Sequence, residues 1–315
     1  MRSFVFCVLS LFVCQILAPV SVLHAEEDAA TYSLRFKFTP GEFAHYTVDA
    51  QNQFTVELNG AIQTTVNSTQ TQKHYRVVGV DESGNATLET MIDRVQMSVQ
   101  FNGGTPATFD SIQPVEKDLE QFVPIRKTIG RPSRIVYSPK GEVITVLELQ
   151  ENADGSVFKE KQDKKNIKKL DNEKSRSLGF LIPLPEDSVK IGGSWNEDFE
   201  AEVSVSKVLR KKVPIRRIFT LKSVEGDLAV ISFKTKIMER LNDPKFSIQL
   251  IQKTPSGTIK LDMDKGVIVS QDVSLDKAQV GVFDGQGAMR AITSVVETLV
   301  DPASLAQKTA ETAAE

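Results

Sequence analysis

The residues of this chain best suited to acid–base or metal chemistry are His45 and His74, once the leading segment that holds His24 is set aside. An imidazole changes charge between about pH 5 and 8 and is the commonest metal ligand. Either role needs partners held at ligand or hydrogen-bond distance. His45 lies in "FAHYTVDA" beside Thr47 and Asp49, and neither histidine has metal-ligand spacing around it. Both therefore read as solvated strand histidines, and the expectation is that the chain holds no metal.

The remaining motifs read as turns. "LDMDKG" at 261–266 sets Asp262 and Asp264 before a glycine, but it lacks the further oxygen ligands of a calcium loop. "DGQGA" at 284–288 has no third glycine and follows no βαβ pattern, which excludes a dinucleotide cradle. Ser274 and Lys277 match S-x-x-K, but in a strand-like stretch rather than on the helix such chemistry requires. There is no HExxH, GxSxG or Walker sequence. A glycosidase-type carboxylate pair is defined by separation in space, so that class stays open. The residues assign no catalytic or cofactor-binding position.

Alternation of period two dominates the elements that would carry these groups. In 43–58, Ala44, Tyr46, Val48, Ala50, Phe54, Val56 and Leu58 share one parity, and the other is polar apart from Phe43. In 197–209, Phe199, Ala201, Val203, Val205 and Leu209 oppose acids and serines. Such one-sided alternation predicts antiparallel strands with one wet face. Further strands are expected near 33–38, 61–80, 86–101, 213–224, 228–240, 245–252, 266–276 and 279–300, with bulges near Gln70–His74 and Leu88–Met91. Sixteen residues at about 3.3 Å each would span about 50 Å. A compact chain of this size has a radius of gyration of only about 19 Å. The predicted fold class is thus mainly β, with long curled strands forming a partial or closed barrel.

One helical insertion is expected near 113–130. Pro114 opens it, Gly130 and Pro132 close it, and Pro124 splits it. Its apolar stripe, Val115, Leu119 and Phe122, is the candidate lid over a ligand. Paired glycine turns point to two pseudo-repeated β halves: Gly41 with Gly193, Gly84 with Gly226, and "SPKG" at 138–141 with "DKG" at 264–266. One feature is out of step, since Ile135 and Tyr137 lie one residue off the phase of Ile259 and Leu261. Trp195, by its equivalence to Phe43, reads as an anchor at a strand start.

Residues 1–25 carry Arg2, an apolar run interrupted by Gln15 and Pro19, and a small residue, Ala25, before "EED". This is a cleavable export signal, and no transmembrane segment is expected in the mature chain. Both cysteines, Cys7 and Cys14, fall inside it. The mature chain then has no disulfide, zinc-thiolate site or cysteine nucleophile, which favours a bacterial exported protein. The formal net charge of −3 becomes one unit more negative when Arg2 is removed, and nothing indicates a nucleic-acid partner. The organisation expected is a first β half over 26–150, a lysine-rich linker or loop over 151–185, a second β half over 186–300 and a flexible tail over 301–315. The linker's 158–176 stretch carries eight basic and four acidic residues and reads as a solvated loop.

The phrases "LRFKFTPGEFAHY", "RIVYSPKGEVI" and "LPEDSVKIGGSW" resemble those of a group of exported bacterial β-rich proteins of unknown function. That resemblance implies export and no particular activity. In shape alone, the predicted sheet is similar to the periplasmic lipoprotein-carrier half-barrel, which implies an apolar cavity. Three readings follow. The first is a non-catalytic envelope protein that binds a lipid, an acyl chain or an envelope partner. The second is an assembly factor with a filled interior. The third is a hydrolase with an unrecognised carboxylate site.

Overall fold

The computed structural model describes residues 30–147, 149–151, 158–160, 180–204, 210–241, 243–283 and 285–304. The segment expected to be an export signal, most of the lysine-rich segment and most of the tail lie outside these residues. The chain runs β1 (Thr31–Tyr32), β2 (Phe43–Leu58), β3 (Ala61–Val80), β4 (Ala86–Phe101) and β5 (Ala107–Asp110). After three short helical turns come β6 (Ser133–Tyr137), β7 (Val143–Leu147), β8 (Leu149–Glu151), β9 (Phe158–Glu160) and β10 (Val189–Lys190). The last strands are β11 (Ser194–Ser204), β12 (Arg210–Glu225), β13 (Leu228–Ile237), β14 (Ser256–Asp262), β15 (Val267–Val282) and β16 (Gly287–Val300).

Twelve strands form one antiparallel sheet in the order β11-β12-β13-β14-β15-β16-β2-β3-β4-β6-β7, with β5 beside β4. Pairing of β16 with β2 over fourteen residues, Gly287–Val300 against Leu58–His45, joins the early and late strands into one surface. Among the described residues β7 and β11 end the path without pairing to each other, so the sheet is curled but not closed. Its curl is evident in a cleft bordered both by Val143 of β7 and by Glu197 of β11.

The alternation predicted for β2 is the one observed. Ala44 and Tyr46 are buried and Val48, Ala50, Phe54 and Val56 half-buried, while Asp49, Gln51 and Gln53 face solvent. In β11, Phe199, Ala201 and Val203 point inward in the same way. Positions 205–209 of that prediction lie outside the described residues. The two bulges lie beside the expected windows but on the partner strands: the first inserts Asp93 of β4 opposite Gln72/Lys73, and the second inserts Val78 of β3 opposite Leu88.

The concave face is filled by the chain itself. Residues 33–38 form no strand; they enter the curl as an extended strap. Leu34 and Phe36, with Ile182 and Leu184 of a second inserted segment, pack against Phe219, Ile231, Ile259 and Leu261. Phe38 and Leu181 also reach the second core cluster of Tyr46, Tyr75, Leu88, Ile135 and Tyr137. The strap ends at both repeated turns: the Phe36 N–H donates to the Pro139 carbonyl (2.8 Å) and the Lys37 N–H to the Gly266 carbonyl (3.2 Å). The Leu184 N–H adds a bond to the Lys140 carbonyl (2.7 Å).

These turns also resolve the mismatch of phase. The Gly141 N–H closes on Ser138 O, whereas the Gly266 N–H closes on Asp262 O. The second turn is longer by one residue, so Ile135 and Tyr137 occupy the places of Ile259 and Leu261, and all four are buried. Gly84 and Gly226 stand at matching joints between β3/β4 and β12/β13, but the partner of Gly41 before β11 is Gly192, which has positive φ, and not Gly193 as the sequence pairing has it. On this alignment Ala44 is the counterpart of Trp195. Phe43 is not, because it points outward and is 54% exposed.

The helical segments depart from expectation in three ways. The region near 113–130 is not one amphipathic helix but two 3-10 turns, Val115–Lys117 and Glu120–Phe122, and one α turn, α1 (Val123–Arg126). The break falls at Asp118–Leu119, whose backbone is extended. Pro124 instead sits in the first turn of α1, where a missing N–H leaves no hydrogen bond unmade. Residues 245–252, expected as a strand, form α2 (Pro244–Gln249) and a 3-10 turn at Ile251–Lys253. The Asp243 carboxylate accepts from the Lys245 N–H at 2.8 Å, and Pro244 opens the helix. An Asp cap followed by Pro at the first helical position is a start signal that overrides the apolar run.

Two stability outcomes follow. Gly141 has φ +77° and Gly266 φ +64°, and a Cβ there would stand 2.1 Å from the Ile182 carbonyl oxygen and 2.2 Å from the Lys37 nitrogen. Gly141→Ala and Gly266→Ala are each expected to lose about 3 kcal/mol in urea unfolding, combining backbone strain with overpacking. Gly60→Ala, at φ +78° with open space around it, loses only about 1 kcal/mol. Equal losses at all three positions would show that the strap does not bear on the turns. Phe122→Ala is expected to lose about 3 kcal/mol, and Val115→Ser and Leu119→Ser under about 0.5 kcal/mol each.

Candidate functional site

The inserted segments leave a cleft of about 560 Å³ between the wings of the sheet. One wall is apolar: Val143, Phe180, Leu181, Ile182 and Pro183. The other is ionic and comes from inward-facing positions of long strands: Lys73 on β3, Glu297 on β16, Gln271 on β15, Arg217 on β12 and Glu197 on β11. The register brings these together. Glu297 stands opposite Gln271 and Glu197 opposite Arg217, each pair with side chains on the same face.

The Lys73 ammonium donates to Glu297 at 3.0 Å and lies 4.4 Å from the centre of the Phe180 ring. Both partners of this ion pair are less than a fifth exposed. The Arg217 guanidinium is 3.4 Å from Glu197 and 5.5 Å from the Phe233 ring. Its Nε and the Oγ1 of Thr235, its neighbour on β13, are buried without a hydrogen-bond partner. Such groups are costly to leave unpaired. Burial pushes the Tyr75 hydroxyl in the adjacent core up to about 12, and that of Tyr137 likewise. Both stay protonated, and Tyr137 accepts the Phe180 N–H at 3.0 Å, which positions the apolar wall.

The candidate lid residues do not meet as a stripe. Phe122 is buried, its ring tilted against that of Phe109 at 5.4 Å and clustered with Val95, whereas Val115 and Leu119 are exposed. The turns of this region cover the inner face of β4 rather than the cleft. Trp195 is half-buried on Phe219 at 5.5 Å, with its indole N–H donating to the Pro183 carbonyl at 2.9 Å. It thereby ties the apolar wall to β11. Ser274 and Lys277 are exposed and three apart on a strand, and so face opposite ways. Asp262 caps its own turn, accepting from the Lys265 N–H at 2.8 Å.

The two histidines do meet. Antiparallel pairing of β2 with β3 sets His45 directly against His74 on the convex face, and Asp93 of β4 lies beside them. Burial, and then the neighbouring His74 ring, lower the His45 pKa, against the pull of Asp93. Neutral imidazole, the ligand form, is favoured there. Nothing in the spacing of 45 and 74 announces this pair; only the register of the hairpin does.

Among curated proteins no match was found. Among solved structures the chain is similar to lipovitellin, described for its lipid–protein interactions, at 13% identity and a TM-score of 0.44. That match covers 84% of this chain, which spans about a quarter (26%) of the lipovitellin chain. It is also similar to the translocator domain of the autotransporter NalP from Neisseria meningitidis, at 9% identity and a TM-score of 0.27, covering 83% and 89% of the two chains. Among the described residues no helix is long and apolar enough to cross a membrane. A family model matches residues 83–268, more than half of the chain and the stretch that carries β4 to β14, and the chain accordingly belongs to the family of unknown function DUF6263.

Proposed function

We propose that this is a non-catalytic exported protein of the bacterial envelope that binds an amphipathic ligand in the cleft of its curled sheet. The observation that carries the reading is the two-sided lining: Phe180, Leu181 and Ile182 on one wall, Lys73 and Arg217 on the other. The apolar cavity implied by the likeness to lipoprotein carriers is narrowed in this reading. Much of the apolar interior is occupied by Leu34, Phe36, Ile182 and Leu184, and the space left over is edged with charge. A lipid or acylated partner segment would lay its chain on the apolar wall. Its anionic head group would meet the Arg217 guanidinium, which lines the cleft. Of the four cleft carboxylates, Glu297, Glu197 and Asp198 are held by Lys73, Arg217 and Arg216, and Glu142 lies on the opposite wall beside Val143, which favours binding over general acid–base catalysis. Export rests on the pattern of the first 25 residues.

Native mass spectrometry of the protein recovered from the exported fraction is expected to show a chain beginning at Glu26 with a co-purifying lipid. A fluorescent fatty acid is expected to bind, and Arg217→Met to weaken it about tenfold, the loss of about 1.4 kcal/mol typical of a hydrogen bond to a charged group. A bare protein mass with no probe binding would favour the assembly-factor reading. Hydrolysis abolished by Glu197→Gln would favour the enzyme.

A further inference from the structure

We propose that His45, His74 and Asp93 form a binding site for a divalent late transition-metal ion, Zn²⁺ or Cu²⁺, on the convex face of the sheet. The site is separate from the cleft and does not depend on what the cleft binds. Its three residues come from three consecutive strands, β2, β3 and β4, each held by a continuous ladder. Among the described residues they are the group of three potential ligands whose donor atoms all lie within 4.8 Å of one another. Strands hold ligands more rigidly than loops do, so most of the ordering is done before the metal arrives.

Asp93 reaches the site through a bulge. Gln72 pairs with Arg94 and Lys73 with Ile92, which leaves Asp93 as the inserted residue. Bulges re-aim side chains in this way. The Asp93 carboxylate and the His74 Nδ1 are 2.8 Å apart. Two ligands on one metal at bonds of about 2.0–2.1 Å lie roughly 3.3 Å apart in a tetrahedral site. A small opening of that contact therefore admits the ion in place of the shared hydrogen, the neutral ring then carrying its proton on Nε2. His45 offers a ring nitrogen within 4.8 Å of the other two donor atoms.

The surroundings suit this use. The His45 and His74 rings have centres 5.1 Å apart. Phe43 lies 5.8 Å from the first and 5.7 Å from the second, a half-exposed aromatic roof that excludes water from one side. Arg76, opposite Phe43 in the register, is directed to Glu89, to which it donates at 2.9 Å. Two imidazoles with one carboxylate favour Zn²⁺ or Cu²⁺ over the oxygen-seeking Mg²⁺ and Ca²⁺. A structural role for the trio would need only the His74–Asp93 hydrogen bond. It gives no reason for a second imidazole directly opposite the first, under the same exposed ring.

Isothermal titration of the purified metal-free protein with Zn²⁺, and separately with Cu²⁺, tests the site, with Mg²⁺ as the control. One ion per chain is expected, with no Mg²⁺ binding. His45→Gln and His74→Gln should each weaken Zn²⁺ by at least about tenfold, and Asp93→Asn by about tenfold, with unchanged circular dichroism. Arg217→Met should leave it unaltered. Electron paramagnetic resonance of the Cu²⁺-loaded wild-type protein should show hyperfine coupling to two imidazole nitrogens, a readout that needs no variant to fold. Absence of Zn²⁺ and Cu²⁺ binding at micromolar concentration would overturn the proposal. So would stoichiometric binding that survives His45→Gln/His74→Gln.

Discussion

The structure depends on one extended segment laid inside an open sheet. Residues 34–38 add no strand to the ladder, yet their backbone N–H groups reach carbonyls at both repeated turns, Pro139 on one wing and Gly266 on the other. Leu34 and Phe36 bury almost completely among strands β12 to β15. A fully buried Leu or Phe contributes about 1.5–3 kcal/mol. Two hydrogen bonds to opposite wings then set how far the sheet curls, which neither wing's own ladder does.

This arrangement explains why a large β-sheet need not close. In a barrel the last strand pairs with the first and removes the edges. Here β1 pairs with β10, Thr31 against Lys190 and Tyr32 against Val189, which anchors the two inserted segments to each other. The wings are thus bridged by side chains and turns rather than by a ladder. A bridge of this kind leaves space beside it, and the cleft between Lys73 and Arg217 is that space.

Alternation divides the chemistry between the faces. On β3, Lys73 points into the cleft and pairs with Glu297, while the next residue, His74, points outward to His45 and Asp93. Adjacent residues thereby serve an ionic interior wall and an imidazole cluster on the exterior. The bulge at Gln72/Lys73 makes this possible, since it lets β4 offer Asp93 to the outer face while Ile92 and Val95 stay with the core.

The sequence by itself determined the class of fold, because alternation along a strand is a local property: each side chain's face follows from its parity. The glycine turns were legible for the same reason, since positive φ is a demand of the turn itself. The start of α2 was also present, as Asp243-Pro244, though an apolar run masked it. Tertiary structure alone decided the rest. Whether Val115, Leu119 and Phe122 act together depends on a backbone break at Asp118–Leu119 that no periodicity marks. Whether two histidines twenty-nine positions apart touch depends on the register of a hairpin. What fills the curl depends on a strap that reads as one more strand until its donors are traced to turns more than a hundred residues away. Local preference settles how a segment is shaped, but the partners it meets follow from long-range packing, which the order of residues does not display.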